Sequence, residues 1–203
     1  SVSGLSADTE YEWQVRSNCS SSNSNYSSSD LFTTDAPVVI TYCNSSGDDS
    51  SYEWIQRIVL GSIDNTSGDN GGYADFTNQV ANVQRGTSTS MNVQAGFSGS
   101  SYTEYWSVWI DLNQDGTFST GERLVNGSSS SSNLLSATLN IPSTALTGNT
   151  RMRVTMKYNA QGTPCETFNY GEVEDYTVNI TNSPSNYAMT DFDSELLGKE
   201  DNI

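Results

Sequence analysis

Apolar and polar residues alternate with a period of two along most of this chain, and no long segment holds the 3.6-residue period of an amphipathic helix. Met91, Val93, Ala95 and Phe97 share one face of "TSMNVQAGF", and Trp106, Val108 and Ile110 one face of "YWSVWI". The same phase recurs at Leu135, Ala137, Leu139 and Ile141, at Met152, Val154, Met156 and Tyr158, and at Tyr176, Val178 and Ile180. "YEWIQRIVLGSI" reads as a further strand. Gly-, Asn-, Asp- or Ser-rich turns separate these runs. The pattern predicts an all-β chain folded as an antiparallel β-sandwich.

The start of the chain reads as a separate piece. In "DTEYEWQVRS", Tyr11, Trp13 and Val15 face one way and Glu12, Gln14 and Arg16 the other, as in a half-buried strand. "DLFTTDAP" is a second strand, ended by Pro37. Two strands cannot bury a sheet face alone, so residues 1–36 are expected to be the closing strands of another sandwich. Residues 37–41 then form a linker, 42–182 the main sandwich and 183–203 an acidic tail. The serine run between Asn126 and Asn133 reads as a solvated, mobile loop. "GSIDNTSGDNGGYADFT" reads as a long loop of Asx turns, with a second cation at Asp64, Asp69 and Asp75 as its alternative.

Composition narrows the function. With 24 acidic against 8 basic side chains, the net charge of −16 argues against nucleic acid and anionic membranes as partners. No apolar run is long enough for membrane insertion. The chain contains no His, so Ser-His-Asp and Cys-His nucleophiles and HExxH zinc sites cannot be assembled from it. Carboxylate-pair chemistry remains possible, since the acids are plentiful. Apolar residues make up 34%, which leaves a thin core that a disulfide or metal would help to hold. Three cysteines, Cys19, Cys43 and Cys165, fit one disulfide and one leftover thiol in a secreted protein.

Two motifs stand out against this background. "DLNQDGTFSTGE" has oxygen side chains at its first, third and fifth positions, Gly at the sixth and Glu at the twelfth, which is the spacing of a calcium loop. The expected ligands are Asp111, Asn113, Asp115, the Thr117 carbonyl and Glu122, with Gly116 allowing the turn. All are oxygens, which favours Ca²⁺ over Zn²⁺. Three carboxylates converging at about 5 Å would repel by about 3 kcal/mol per pair, so a closed loop is expected to need its cation. The preceding "YWSVWI" is a strand rather than a helix, so the loop should brace the fold rather than act as an opening sensor.

The second motif is "GEVEDY". On a strand, Glu172, Glu174 and Tyr176 share one face, and Val173 and Asp175 the other. Glutamates approaching a core need partners, and Arg151 and Arg153 or a metal are the candidates. Glu172, Glu174 and Asp175 are thus a possible second metal site or a set of structural carboxylates. Trp54, Tyr73, Tyr102 and Tyr105 offer a platform for a sugar if exposed, and ordinary core if not.

Taken together, "TYCNSSG", "SYEWIQRIVLGSIDNTSGDNGGYADFT", "SVWIDLNQDGTFSTGERL", "TRMRVTMKY" and "PCETFNYGEVEDYTVNI" resemble a GEVED domain over about residues 42–181. The resemblance implies a non-catalytic module of secreted or cell-surface multidomain proteins of Bacteroidota. Its extracellular ligand is open between a glycan and a protein, and a copy of the chain is a further partner, since it could complete the first sandwich by strand addition. It also implies a Cys43–Cys165 disulfide. Residues 1–36 resemble the end of a fibronectin type III domain, with Leu5 and Tyr11 at its tyrosine corner. The tail resembles linkers that precede type IX secretion sorting domains.

Overall fold

The computed structural model describes residues 4–18, 22–36 and 39–183, and divides the chain into two compact units, 1–41 and 42–203. The remarks above on Cys19, Pro37 and the tail beyond residue 183 lie outside the described residues.

The first unit holds a two-stranded antiparallel ribbon, β1 (Glu10–Trp13) and β2 (Asp30–Thr33), with Tyr11 opposite Phe32. Their rings stack at 5.7 Å. The Tyr11 hydroxyl accepts a hydrogen bond from the Ser6 N–H at 2.7 Å, the bond a tyrosine corner requires. The strand is shorter than the alternation of residues 8–17 predicts, and Trp13 and Val15 are exposed. A ribbon with no second layer among the described residues has nothing to bury that face.

The second unit is the sandwich. Its strands are β3 (Ser46–Asp49), β4 (Glu53–Leu60), β5 (Ile63–Asn65), β6 (Tyr73–Gln84), β7 (Thr87–Phe97), β8 (Glu104–Ile110), β9 (Arg123–Ser129), β10 (Leu135–Ile141), β11 (Gly148–Tyr158) and β12 (Thr167–Thr181). One sheet runs β10-β7-β4-β5; the other runs β3-β12-β11-β8-β9, with β6 also on β12. Ile55, Ile58, Met91, Val93, Leu139 and Ile141 from the first sheet meet Trp106, Val108, Met152, Val154, Tyr176 and Val178 from the second. These are the phases the sequence predicts.

Four features depart from the expectation. "YEWIQRIVLGSI" is a hairpin, β4 and β5, folded back at Gly61, whose φ of +55° suits glycine. The long Gly/Asp-rich segment ends in β6, a polar strand that buries only Ala81 and Val83 among its apolar residues. The serine run is a strand in its first half, because β9 pairs with β8 as far as Ser129 opposite Glu104. The sheets are mixed: β12 takes β11 antiparallel on one edge, and β3 and then β6 parallel on the other.

The centre of the larger sheet is buried on both faces. Opposite the core, Ser107, Trp109, Arg153, Thr155, Val173 and Asp175 are covered as well. Two straps do this, Tyr42–Ser45 and Gln161–Glu166, joined by a Cys43–Cys165 disulfide with Cα atoms 5.5 Å apart. Gln161 donates to the Trp106 carbonyl at 2.7 Å, so the strap is hydrogen-bonded to the sheet beneath it.

Candidate functional site

The alternation of β12 splits the GEVED motif between the two faces of the sheet. Glu172 and Glu174 point into the sandwich, and both are fully buried. Glu172 accepts from the Ile55 N–H at 2.8 Å and the Asn70 N–H at 2.6 Å, which ties β12 to β4 across the core. Glu174 accepts from the Ser67 hydroxyl at 2.5 Å and the Tyr176 hydroxyl at 2.7 Å, and Tyr176 in turn accepts from Asn65. Burial pushes each glutamate up to about 7, against these hydrogen bonds.

Asp175 points to the other face, and the arginines go to it. Arg153 donates through Nε and Nη2 to the two Asp175 oxygens at 2.7 and 2.8 Å, and Arg151 donates at 2.7 Å. The Tyr73 hydroxyl adds a bond of 3.1 Å. Burial, reinforced by the Asp175 charge, pushes Tyr73 up to about 12. The expectation that Arg151 and Arg153 partner the glutamates is therefore corrected. Odd-numbered residues of β11 and β12 share a face, and Arg153 stands in register with Asp175 while Val154 stands in register with Glu174.

Arg153 also donates to the Cys43 carbonyl at 2.9 Å and the Pro164 carbonyl at 2.6 Å. One guanidinium thus joins the motif to both ends of the disulfide strap. Gly171, at φ +117°, brings β12 so close to β11 that a Cβ there would overlap the Met156 carbonyl oxygen.

The loop after β8 has Gln114 and Gly116 in left-handed conformation, which turns the backbone back on itself. Asp111, fully buried, accepts from the Asp115 and Gly116 N–H groups at 3.2 and 3.0 Å and from the Tyr42 hydroxyl at 2.8 Å. Glu122 accepts from the N–H groups of Leu112, Asn113 and Ser119. Asp115 accepts from the Thr117 N–H and hydroxyl and from the Asn113 side chain. The loop closes with its carboxylates turned onto amides and hydroxyls, which compensate each charge separately and remove the need for the three to converge. Among the described residues, no group of three or more His, Cys, Asp or Glu stands together as a metal cluster. The side-chain oxygens of Asp111, Asn113, Asp115 and Glu122 and the Thr117 carbonyl, the expected donors, are of the hard kind that calcium takes.

Asp64, Asp69 and Asp75 are not brought together. Asp64 pairs with Arg57, Asp69 accepts from Ser50, and Asp75 caps the Thr77 N–H. The four aromatics suggested as a platform also separate. Trp54 donates to Gln56, Tyr73 serves Asp175 and Tyr105 is half-buried on β8 in register with Lys157, while Tyr102 lines a cavity with Tyr52, Tyr158, Tyr170 and Glu53. Sequence reasoning missed Glu53 and Glu104, which the fold buries at one end of the core. Their signal was legible: each stands two residues before a core residue, Ile55 and Trp106, in the apolar phase.

Residues 105–179 match the family model of the GEVED domain, which covers β8 to β12 and thus both the loop and the motif. No curated protein matches the chain. Among solved structures, a Niemann-Pick type C2 protein from Japanese carpenter ant is similar at 8% identity and TM-score 0.38, covering 71% of this chain and 100% of that one. A CARDB domain from Pyrococcus furiosus, in complex with di-metal ions, is similar at 11% identity and TM-score 0.36, covering 66% and 99%. A lytic polysaccharide monooxygenase from Streptomyces lividans is similar at 13% identity and TM-score 0.29, covering 50% and 59%.

Proposed function

We propose that this chain supplies a non-catalytic β-sandwich module of the GEVED type to an exported, secreted or cell-surface multidomain protein, where it serves binding, adhesion or spacing. The observation that carries this reading is the fate of the motif's own carboxylates. Glu172, Glu174 and Asp175 are buried and each is engaged by groups of the sandwich. They lock two sheets and a strap together, so none of the three motif carboxylates is free to act on a substrate. The Cys43–Cys165 disulfide supports an oxidising, extracellular setting. The Tyr11 corner bond supports reading residues 1–36 as the end of a fibronectin type III-like sandwich.

Calcium at Asp111, Asn113, Asp115, Thr117 and Glu122 belongs to the same proposal. A bound divalent cation would gather the carboxylates that otherwise turn onto amides, and would brace the loop against β11, where Thr150 donates to the Asp111 carbonyl at 2.6 Å. The test is calorimetric melting of the full chain with and without calcium, paired with elemental analysis. A calcium-dependent rise in melting temperature is expected. Melting indifferent to calcium and to chelator, with no bound metal, would reduce the loop to an amide-capped turn.

A further inference from the structure

At one end of the sandwich, Glu53 opens β4 and Glu104 opens β8, one acid from each sheet, 2% and 0% exposed. Neither Glu104 oxygen has a hydrogen-bond partner among the described residues. A buried carboxyl without donors is costly, and burial followed by the Glu53 charge pushes Glu104 up to about 8. Burial, with Asp49, also raises Glu53.

Glu53 lines a cavity of about 210 Å³ whose other walls are Tyr52, Tyr102, Tyr158 and Tyr170. Glu104 stands in register with Tyr158. The four rings are 39% to 50% exposed. They meet edge to face: Tyr102 with Tyr158 at 5.6 Å and 77°, Tyr52 with Tyr170 at 5.9 Å and 82°, Tyr158 with Tyr170 at 6.3 Å and 78°. Rings set this way make walls around a small group, where a sugar platform would need one flat face.

We infer that this pocket binds an organic ammonium group, held against the tyrosine rings with Glu53 as its counter-ion and Glu104 behind it. Aromatic faces attract cations, and the attraction grows as the site excludes water. The lining holds no cationic side chain, so an anion finds no counter-charge there, and the chain's charge of −16 disfavours one. Lys157, on the neighbouring cavity of about 410 Å³ that shares Tyr158 and Tyr170, is committed to Glu166 at 2.9 Å. The inference gives a ligand class to the binding role proposed above, and it rests on that reading only for its setting.

The experiment is calorimetric titration of the full chain with choline, with its neutral carbon isostere dimethylbutanol, with n-butylammonium and with a mixed oligosaccharide panel. At least one ammonium compound is expected to bind about tenfold or more tighter than the isostere. Glu53→Gln and Tyr170→Ala are each expected to weaken it about fivefold. Tyr170 is 41% exposed, so its truncation spares the core; unchanged melting of both variants confirms their folding. Preference for choline points to a methylated ammonium, and preference for n-butylammonium to a lysine-like amine; both support the inference. Equal binding of the isostere, binding of oligosaccharide alone, or no binding of either ammonium compound would overturn it. None of these results bears on the calcium dependence of melting, so failure here and failure of the module reading are separable.

Discussion

Arg153 and Asp175 face each other across the β11–β12 register as a two-pronged ion pair, 2% and 0% exposed. Both charges were taken from water, and each compensates the other. Removing one should therefore cost more than the pair contributes. Asp175→Asn or Arg153→Met is expected to lower unfolding free energy by about 3–5 kcal/mol in denaturant titration. Arg153→Met should be the worse, because it also releases the Cys43 and Pro164 carbonyls. A loss below that of an ordinary surface substitution would remove Arg153 from its place as the joint between motif and strap.

The disulfide closes a separation of 122 residues. In the chain-entropy account, a loop that long restricts the unfolded chain by about 5 kcal/mol. Replacing Cys43 and Cys165 together by serine is expected to lower stability by a large part of that amount, measured as the shift in denaturation midpoint. Equal midpoints for oxidised and reduced protein would show that hydrogen bonds such as those of Arg153 and Gln161 hold the straps without the cross-link.

Stability should fall as pH rises through the neutral range. Glu104 is raised to about 8, and Glu172 and Glu174 to about 7, each mainly by burial. A carboxyl raised in the folded state stays protonated there after the unfolded chain has ionised, so the unfolded state binds fewer protons and stability declines until the folded pKa is passed. Asp75 and Asp115, lowered by Thr77 and Thr117 hydrogen bonds, act oppositely and lose their contribution as pH drops below about 4. Melting should be highest in the mildly acidic range. Glu104→Gln should raise stability at about pH 8 by on the order of a few kcal/mol and change little at about pH 5. A variant that melts alike at both pH values relative to the parent would contradict the assignment of this slope to Glu104.

Asp115→Asn tests the loop. Asp115 sits at the exposed rim and caps Thr117, whereas Asp111 is buried and holds the turn. The substitution should leave the chelated protein's melting within about 0.5 kcal/mol of the parent, as surface changes usually do, and shrink the calcium-dependent rise, because it keeps an oxygen ligand but removes one charge. A rise that survives in full would place the cation elsewhere.

Gly171→Ala is expected to be among the most damaging single changes. It forces a Cβ toward the Met156 carbonyl in a conformation that L-residues avoid. Thermal melting of this variant beside Gly99→Ala, where nothing lies within 4 Å, isolates the effect. Equal melting would show that β12 can shift to make room.

The runs that became β7, β8, β10, β11 and β12 were legible because one face of each is apolar and the other polar. The motif was half legible. Parity placed Glu172 with Glu174 and set Asp175 apart, and the core phases of Met152 and Tyr176 already put Arg151 and Arg153 on the face of Asp175; what sequence does not carry is the register that sets Arg153 directly opposite it. Strand β6 escaped because Asn, Gln and Ala dominate it and its pairing, not its side chains, holds it. The serines of β9 escaped for the same reason. Glu53 and Glu104 escaped because acids in an apolar phase read as strand ends.

Strand β12 is the last of the sandwich in chain order, yet it bonds β11 on one edge and both β3 and β6 on the other. A polypeptide made from its N-terminus therefore carries β3 and β6 without their sheet partner until residues 167–181 emerge. The strand pairs β4–β5, β4–β7, β7–β10, β8–β9 and β8–β11 lie wholly within residues 53–158, so the last strand is what ties β3 and β6 to the rest, a long-range closure of the kind that folds slowly.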